Sequence, residues 1–233
     1  MKKILLAALL ITSFIGFSQN ENDEEWDTIK GKLHIVSVGQ GDDVWGIGMN
    51  NAVWHYENGK FALKKGILQS ISVGGDGTVW GVGLHNGVHK WENNKWVKIP
   101  GNLRQVSVGS KDHVWGVGEG DGIWRRVGDK WQKVIGNANW ISVGHDGSVW
   151  GVRVDASVWK RDGEKWVKVE GELKKVVVQD ADNIYGLNFF NQIVKWNGTG
   201  WYLLHKGSAE SLSVGSDGSI WAVKANGNIY KVN

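Results

Sequence analysis

The sequence predicts an all-β fold in which six four-stranded antiparallel sheets stand as blades in a closed ring. Three observations carry that expectation. One apolar-small motif recurs at Val36-Ser37-Val38-Gly39, Ile71-Ser72-Val73-Gly74, Val106-Ser107-Val108-Gly109, Ile141-Ser142-Val143-Gly144, Val176-Val177-Val178-Gln179 and Leu212-Ser213-Val214-Gly215, at intervals of 35, 35, 35, 35 and 36 residues. Within each copy Val, Ile and Trp alternate at period two between Gly-containing turns, the pattern of half-buried strands. A strand-like segment also precedes the first copy, while the sixth copy stops one strand short.

The fourth copy shows the elements most plainly. Strand one is Ile141-Ser142-Val143-Gly144, and Asp146-Gly147 is a hairpin signal. Strand two is Val149-Trp150-Gly151-Val152, followed by a connection over Val154 to Ser157. Strand three runs from Ser157 to Arg161, the turn is Asp162-Gly163-Glu164-Lys165, and strand four is Trp166-Val167-Lys168-Val169. The period also suits helical repeats such as tetratricopeptide or ankyrin arrays. The texture does not: 34 glycines, a single Pro100 and a period of two exclude stacked helix pairs.

Ring closure follows from the termini. An aromatic residue opens strand four ten residues before each next copy at Trp26, Phe61, Trp96, Trp131 and Trp166, and eleven before at Trp201. The chain ends after a third strand at Tyr230-Lys231-Val232-Asn233, and Trp26-Asp27-Thr28-Ile29 supplies the missing fourth. Pairing them completes the sixth blade and closes the ring of a six-bladed β-propeller, leaving only short outer edges. An open stack would need capping repeats instead.

Before the ring, Met1 to Ser18 reads as a signal peptide: Lys2-Lys3, an apolar run from Ile4 to Ile15, then Gly16 and Ser18, with cleavage before Gln19. The run is too short for a membrane span, and no later segment is apolar enough. Residues 19–25 form an acidic flexible lead, and 26–233 a single propeller domain. The expected location is secreted or periplasmic. The chain has no cysteine, so neither a disulfide nor a lipidated cysteine is possible, and the ring must hold by packing alone. After cleavage 25 of the 27 basic residues remain against 24 acidic ones, a balance of +1 that leaves no electrostatic footprint for nucleic acid.

Placement explains most of the 16 tryptophans. Strand two carries Trp45, Trp80, Trp115, Trp150 and Trp221, with Tyr185 in the fifth copy. Strand four opens with Trp26, Trp96, Trp131, Trp166 and Trp201. Trp54, Trp124 and Trp159 stand early in strand three, Trp91 and Trp196 later in it, and only Trp140 falls outside. Repeated use of two positions is the mark of packing between blades.

The phrase VSVG-x-DG-x-VWGV, followed by V/I-W-K/R, W-x-x-V and G-x-L, resembles the tectonin repeat. The third and fourth copies carry it most fully, through Val114-Trp115-Gly116-Val117 and Ile123-Trp124-Arg125-Arg126, and Gly-x-Leu stands at Gly101-Asn102-Leu103 and Gly171-Glu172-Leu173. The resemblance covers nearly all of the chain after Glu25 and implies a six-bladed propeller. It also implies a secreted lectin for cell-surface glycans such as lipopolysaccharide or O-methylated sugars. Repeats of this kind also serve protein contacts, so a protein partner is the alternative. The fifth copy departs most, with Gln179, Tyr185 and Phe189-Phe190.

A pyranose needs a flat apolar surface beside directed hydrogen-bond groups. Packing explains positions that are constant among copies, so variable ones are the candidates. The connection from strand two to three varies: Asn50-Asn51, His85-Asn86, Gly120-Asp121, Asp155-Ala156, Phe190-Asn191 and Asn226-Gly227. Beside it stand Trp54, His89, Trp124, Trp159, Val194 and Tyr230. Solvated loops with rim packing are the plain alternative for each. Catalytic motifs are missing: there is no His-Glu-x-x-His and no Gly-x-Ser-x-Gly. The Asp-Gly pairs lack EF-hand spacing and read as turns. Asn197-Gly198-Thr199 matches a glycosylation acceptor but sits in a strand three-to-four turn. No enzyme activity, cofactor or metal is expected.

Overall fold

Each copy folds onto itself because its strands are short and its turns carry the residues those turns demand. The computed structural model describes residues 26–232; the expected signal peptide and lead lie outside the described residues. β1 (Trp26–Ile29) comes first. The first blade is β2 (Ile35–Val38), β3 (Val44–Ile47), β4 (Ala52–Glu57) and β5 (Lys60–Ile67). The second is β6 (Ser70–Val73), β7 (Val79–Val82), β8 (Gly87–Glu92) and β9 (Lys95–Asn102). The third is β10 (Gln105–Ser110), β11 (His113–Val117), β12 (Gly122–Val127) and β13 (Lys130–Asn137). The fourth is β14 (Trp140–Val143), β15 (Val149–Val152), β16 (Ser157–Asp162) and β17 (Lys165–Glu172). The fifth is β18 (Lys175–Val178), β19 (Ile184–Leu187), β20 (Gln192–Trp196) and β21 (Trp201–Ser208). β22 (Ser211–Val214), β23 (Ile220–Val223) and β24 (Ile229–Val232) begin the sixth.

Six four-stranded sheets result, and the sixth has the order β1-β24-β23-β22. Trp26 stands opposite Val232, Asp27 opposite Lys231, Thr28 opposite Tyr230 and Ile29 opposite Ile229. The first described strand therefore closes the ring, as the termini predict. Glu119–Asp121 makes a single 3-10 turn. No helix among the described residues is long and apolar enough to cross a membrane.

Strand four runs further than its apolar pattern suggests. β17 continues through Gly171 to Glu172, with a bulge that lets Ser157 face Glu172 while Val158 faces Val169. Gly66, Gly101, Gly136 and Gly171 take φ of 142°, 152°, 115° and 104° at this bend, where a side chain would be strained. The bend also admits the next blade's tryptophan: a Cβ on Gly101 would lie 2.6 Å from Trp131 Nε1.

Aromatic wedges fill the seams between blades. Trp45 meets Trp91 and Trp96 at ring-centroid distances of 5.2 and 6.1 Å. Trp150 meets Trp196 and Trp201 at 6.0 and 6.3 Å. Trp221 meets Tyr56 and Phe61 at 5.3 and 6.4 Å. Where strand three offers arginine, its guanidinium covers both indoles: Arg126 lies 5.8 Å from Trp80 and 5.6 Å from Trp131. Edge-to-face pairs of this kind add about 0.5–1.5 kcal/mol each beyond their burial. The strand-two and strand-four tryptophans are thus packing residues.

Strand one lines the axis, where small residues tie blade to blade. Ser37, Ser72, Ser107, Ser142 and Ser213 each accept, through Oγ, the backbone N–H of the next blade's strand one, at 2.9–3.0 Å. Val177 interrupts this belt in the fifth blade. The Asp of each Asp-Gly turn also reaches the next blade: Asp76 to Lys111 N, Asp146 to Ala181 N and Asp217 to Gly41 N, at 2.8–2.9 Å. Partial desolvation pushes these three carboxyls up, but the backbone and hydroxyl donors outweigh it and hold them below the usual aspartate value.

Candidate functional site

Strand direction reverses at every turn, so the strand two-to-three loops and the passages into the next blade share one face. The loop geometry is the same in five blades, and in the third a 3-10 turn with Gly120 also at positive φ replaces it while keeping the left-handed last residue. Asn51, Asn86, Asp121, Ala156, Asn191 and Gly227 hold φ between 61° and 82°, the left-handed position of a three-residue hairpin loop. The carbonyl of this residue receives the N–H of the passage that follows strand four, as Leu68 to Asn51 at 3.0 Å and Ala209 to Asn191 at 2.8 Å. Backbone conformation therefore accounts for Asn or Asp at these positions.

Three of these side chains, Asn86, Asp121 and Asn191, reach the passage that leads into their own or the next blade's strand one. Asn86 Oδ1 accepts from Gln69 Nε2 at 2.8 Å, and Asp121 pairs with Arg104 at 2.5 Å. Asn191 accepts from Lys174 Nζ at 2.7 Å and donates to Glu210 Oε1 at 2.8 Å. These sequence-predicted residues form a polar rim around the channel mouth. Asn50, Asp155 and Asn226 brace their own loops, each accepting the N–H two residues on at 3.0–3.2 Å. His85 is exposed at its loop tip.

Trp54, His89, Trp124, Trp159 and Tyr230 are all half-buried, and Val194 is buried. Trp54 packs against the cluster that holds Trp221 and Val223 of the preceding blade, and Trp124 against that of Trp80 and Val82. Tyr230 lines a groove with Trp26, Lys224 and, across the seam, His205. Two blades join their predicted residues into units. In the fourth, Trp159 Nε1 donates to Ser157 Oγ at 2.8 Å, and that hydroxyl donates to Asp155 Oδ1 at 2.6 Å. The Arg153 guanidinium lies 3.7 Å from the Trp159 ring centroid. The hydroxyl and N–H of Ser157 hold the Asp155 carboxyl below its usual range. In the sixth, Asn228 N donates to Asn226 Oδ1 at 3.0 Å and Asn228 Nδ2 to the Tyr230 hydroxyl at 3.4 Å, while Lys224 Nζ lies 4.4 Å from the phenol ring centroid. Each set belongs to one blade; they stand around the ring and share no single pocket.

The fifth blade differs. Phe189 is 54 % and Phe190 80 % exposed. The extra residue of this copy is absorbed inside β21: Val194 faces Leu203 and Ile193 faces His205, so Leu204 bulges and packs against the neighbouring core. It does not cover the phenylalanines. The strand two-to-three loop of this blade touches the passage after β21 through the Ala209–Asn191 hydrogen bond, as in every other blade.

Two further features escape a reading of the repeats. A groove of about 680 Å³ opens between the fourth and fifth blades, lined by Trp150, Lys160, Arg161, Asp182, Lys195 and Trp196. On the axis, a cavity of about 190 Å³ takes its mouth residues from the first position of each strand one: Ile35, Ser70, Gln105, Trp140, Lys175 and Ser211. No two neighbouring blades share a residue there, although the next two positions are nearly constant; that contrast was the signal in the sequence. Among the described residues, no group of three or more His, Asp or Glu side chains is placed to hold a metal ion.

The Tectonin domain matches residues 14–86, 36–130 and 121–196, most of the chain. The chain belongs to the Tectonin domain family. Members of this family are generally non-enzymatic. No curated protein matches this tectonin chain in sequence. Similar solved structures include a chain of a mitotic checkpoint complex (10 % identity, TM-score 0.65, 98 % of this chain and 99 % of that one). Others are YCF48 bound to a D1 peptide (12 %, 0.56, 92 % and 96 %) and a streptogramin B lyase (15 %, 0.60, 90 % and 97 %). At such identities the likeness concerns the propeller fold, which an assembly component, a peptide-bound protein and a lyase share.

Proposed function

We propose that this tectonin propeller is a non-catalytic, multivalent carbohydrate-binding protein of the cell exterior. The observation that carries the reading is the half-buried aromatic side chain at one strand-three register in five of six blades, beside polar groups fixed by their own loop. Displacing Arg153 from Trp159 or Lys224 from Tyr230 would open an indole or phenol face as an apolar platform for a sugar's C–H groups, and Asp155 and the displaced cation would supply directed hydrogen bonds. The Lys2-Lys3 start and the apolar run to Ile15 support export. Family resemblance points to lipopolysaccharide or O-methylated sugars as ligands. The ligands require no metal, so binding survives chelators.

A glycan array probed with the mature protein tests this directly, and Trp54→Ala/Trp124→Ala/Trp159→Ala locates the sites. Circular dichroism first confirms that the triple variant folds. Binding to the best glycan is expected to fall about ten-fold or more, since each platform contributes on the order of 1 kcal/mol. A folded triple variant that binds undiminished rejects these platforms.

A second reading, protein contact, has one observation in its favour: the exposed Phe189-Phe190 pair. YCF48 bound to a peptide is a propeller of similar fold. An array without glycan hits, with a protein ligand lost in Phe189→Ser/Phe190→Ser, would favour it.

A further inference from the structure

The axial cavity offers a chemistry that the seam aromatics do not. Three alternate blades close it at the far end: a Cβ on Gly75 of the second blade would lie 2.8 Å from Ser216 Cβ of the sixth and 3.1 Å from His145 Cβ of the fourth. Turns from three alternate blades can meet only on the axis. The channel is therefore a cup open at the face that carries the strand two-to-three loops.

Its lining is rich in hydrogen-bond donors and contains no carboxylate. The serine belt forms the floor. Ser37, Ser72, Ser107, Ser142 and Ser213 each spend an oxygen lone pair on a backbone N–H. Each hydroxyl proton is left to donate, because the hydroxyl rotates to suit. Ser70 and Ser211 at the mouth are engaged in the same way, by Val106 N and Val36 N. Lys175 adds positive charge to the wall, while the charge of Arg104 is offset by its pair with Asp121. Lys175 Nζ donates to the Glu210 carbonyl at 3.0 Å and lies 5.0 Å from the Trp140 ring centroid, and it makes no ion pair among the described residues. The Glu210 carboxylate, the nearest favourable charge, is held by Asn191. Desolvation lowers the Lys175 pKa, so an anion at Nζ would restore what burial removes.

We propose that this cup binds one small molecule carrying a tetrahedral oxyanion, a phosphate monoester above all, with its charge toward Lys175 and the serine floor and its apolar body on Trp140. Donors distributed around an axis suit an acceptor with three terminal oxygens better than a planar carboxylate with two. Trp140, whose indole N–H is already committed to Val176 O at 2.9 Å, presents a ring and no free donor. The site occurs once per ring, unlike the repeated platforms, and its test is separate from theirs.

Isothermal titration of the mature protein with phenyl phosphate, inorganic phosphate, benzoate and phenol reads the proposal. Phenyl phosphate is expected to bind one per chain, tighter than the other three. Lys175→Gln should weaken it about ten-fold or more, the loss of one charge-assisted hydrogen bond. Trp140→Ala should weaken phenyl phosphate while leaving inorganic phosphate unchanged, and this variant keeps the test open if Lys175→Gln does not fold. Absence of saturable phosphate binding to the parent protein overturns the proposal. So does equal affinity for benzoate, or full binding in folded Lys175→Gln.

Discussion

Deletion of residues 1–30 abolishes cooperative folding of the ring. The segment includes β1, the fourth strand of the sixth blade, which pairs along its whole length with β24. Trp26 packs against the cluster of Tyr185, Leu212 and Ala222, and Ile29 against that of Trp221 and Ile229. Full burial of such side chains is worth about 1.5–3 kcal/mol each and their partial burial less, to which the ladder hydrogen bonds add about 0.5–1.5 kcal/mol apiece. The sum is several kcal/mol, a large share of the roughly 5–15 kcal/mol that stabilises a domain. The exposed edge of β24 also becomes a template for intermolecular pairing. Thermal melts followed by circular dichroism should lose their sharp transition or shift far down, and size-exclusion chromatography should show aggregates. Transplanting Trp26–Lys30 behind a two-residue turn after Asn233 rebuilds the blade in the order of the other five and should restore both. A deleted chain as stable and monomeric as the parent contradicts closure by β1.

Gly116→Ala destabilises the ring where Gly151→Ala does not. The repeated Gly of strand two lies beneath the Leu that enters the blade thirteen residues earlier. A Cβ on Gly46, Gly81 or Gly116 would stand 2.4 Å from Cδ1 of Leu33, Leu68 or Leu103, and one on Gly186 2.6 Å from Leu173 Cδ1. The fourth blade has Ala138 in place of Leu, so a Cβ on Gly151 meets nothing nearer than 3.3 Å. The sixth has already made the exchange on both sides, with buried Ala209 and Ala222. Overpacking at Gly116 should cost about 1–3 kcal/mol, whereas Gly151→Ala should stay within about 1 kcal/mol of neutral. Leu103→Ala alone opens a cavity worth about 2–5 kcal/mol, yet combined with Gly116→Ala it should cost less than the two added together. Urea denaturation of the four variants measures this. Additive costs would contradict the pairing.

These glycines show which parts of the molecule were legible in the sequence. Six copies, four strands per copy and the role of Trp26 to Ile29 follow from spacing, because a ring repeats its constraints at each blade. The long fourth strand was not legible, because the Gly-x-Leu segment that bends it has no alternating pattern. The loop residues carry two readings at once. Asn51, Asn86, Asp121 and Asn191 vary among copies as binding residues would, yet a φ near +60° admits only a short set of residue types, and that set is itself polar. Trp159 and Asp155 were legible as neighbours because they share a hairpin. Trp140 and Lys175 were not, because 35 residues separate them and only the packing of strand one on the next blade's strand one sets them on one cavity.

Multivalency is the core of the functional account, and one comparison measures it most directly. Several weak sites on one ring gain avidity on a glycan-coated surface, typically about 10²- to 10⁴-fold, with no new contact. Surface plasmon resonance on the immobilised glycan, set beside calorimetry with the corresponding free monosaccharide, reads that factor. The account predicts apparent affinity at least about 10²-fold higher on the surface, unchanged by EDTA. Equal affinity in the two formats, or one site per chain by calorimetry, would contradict it.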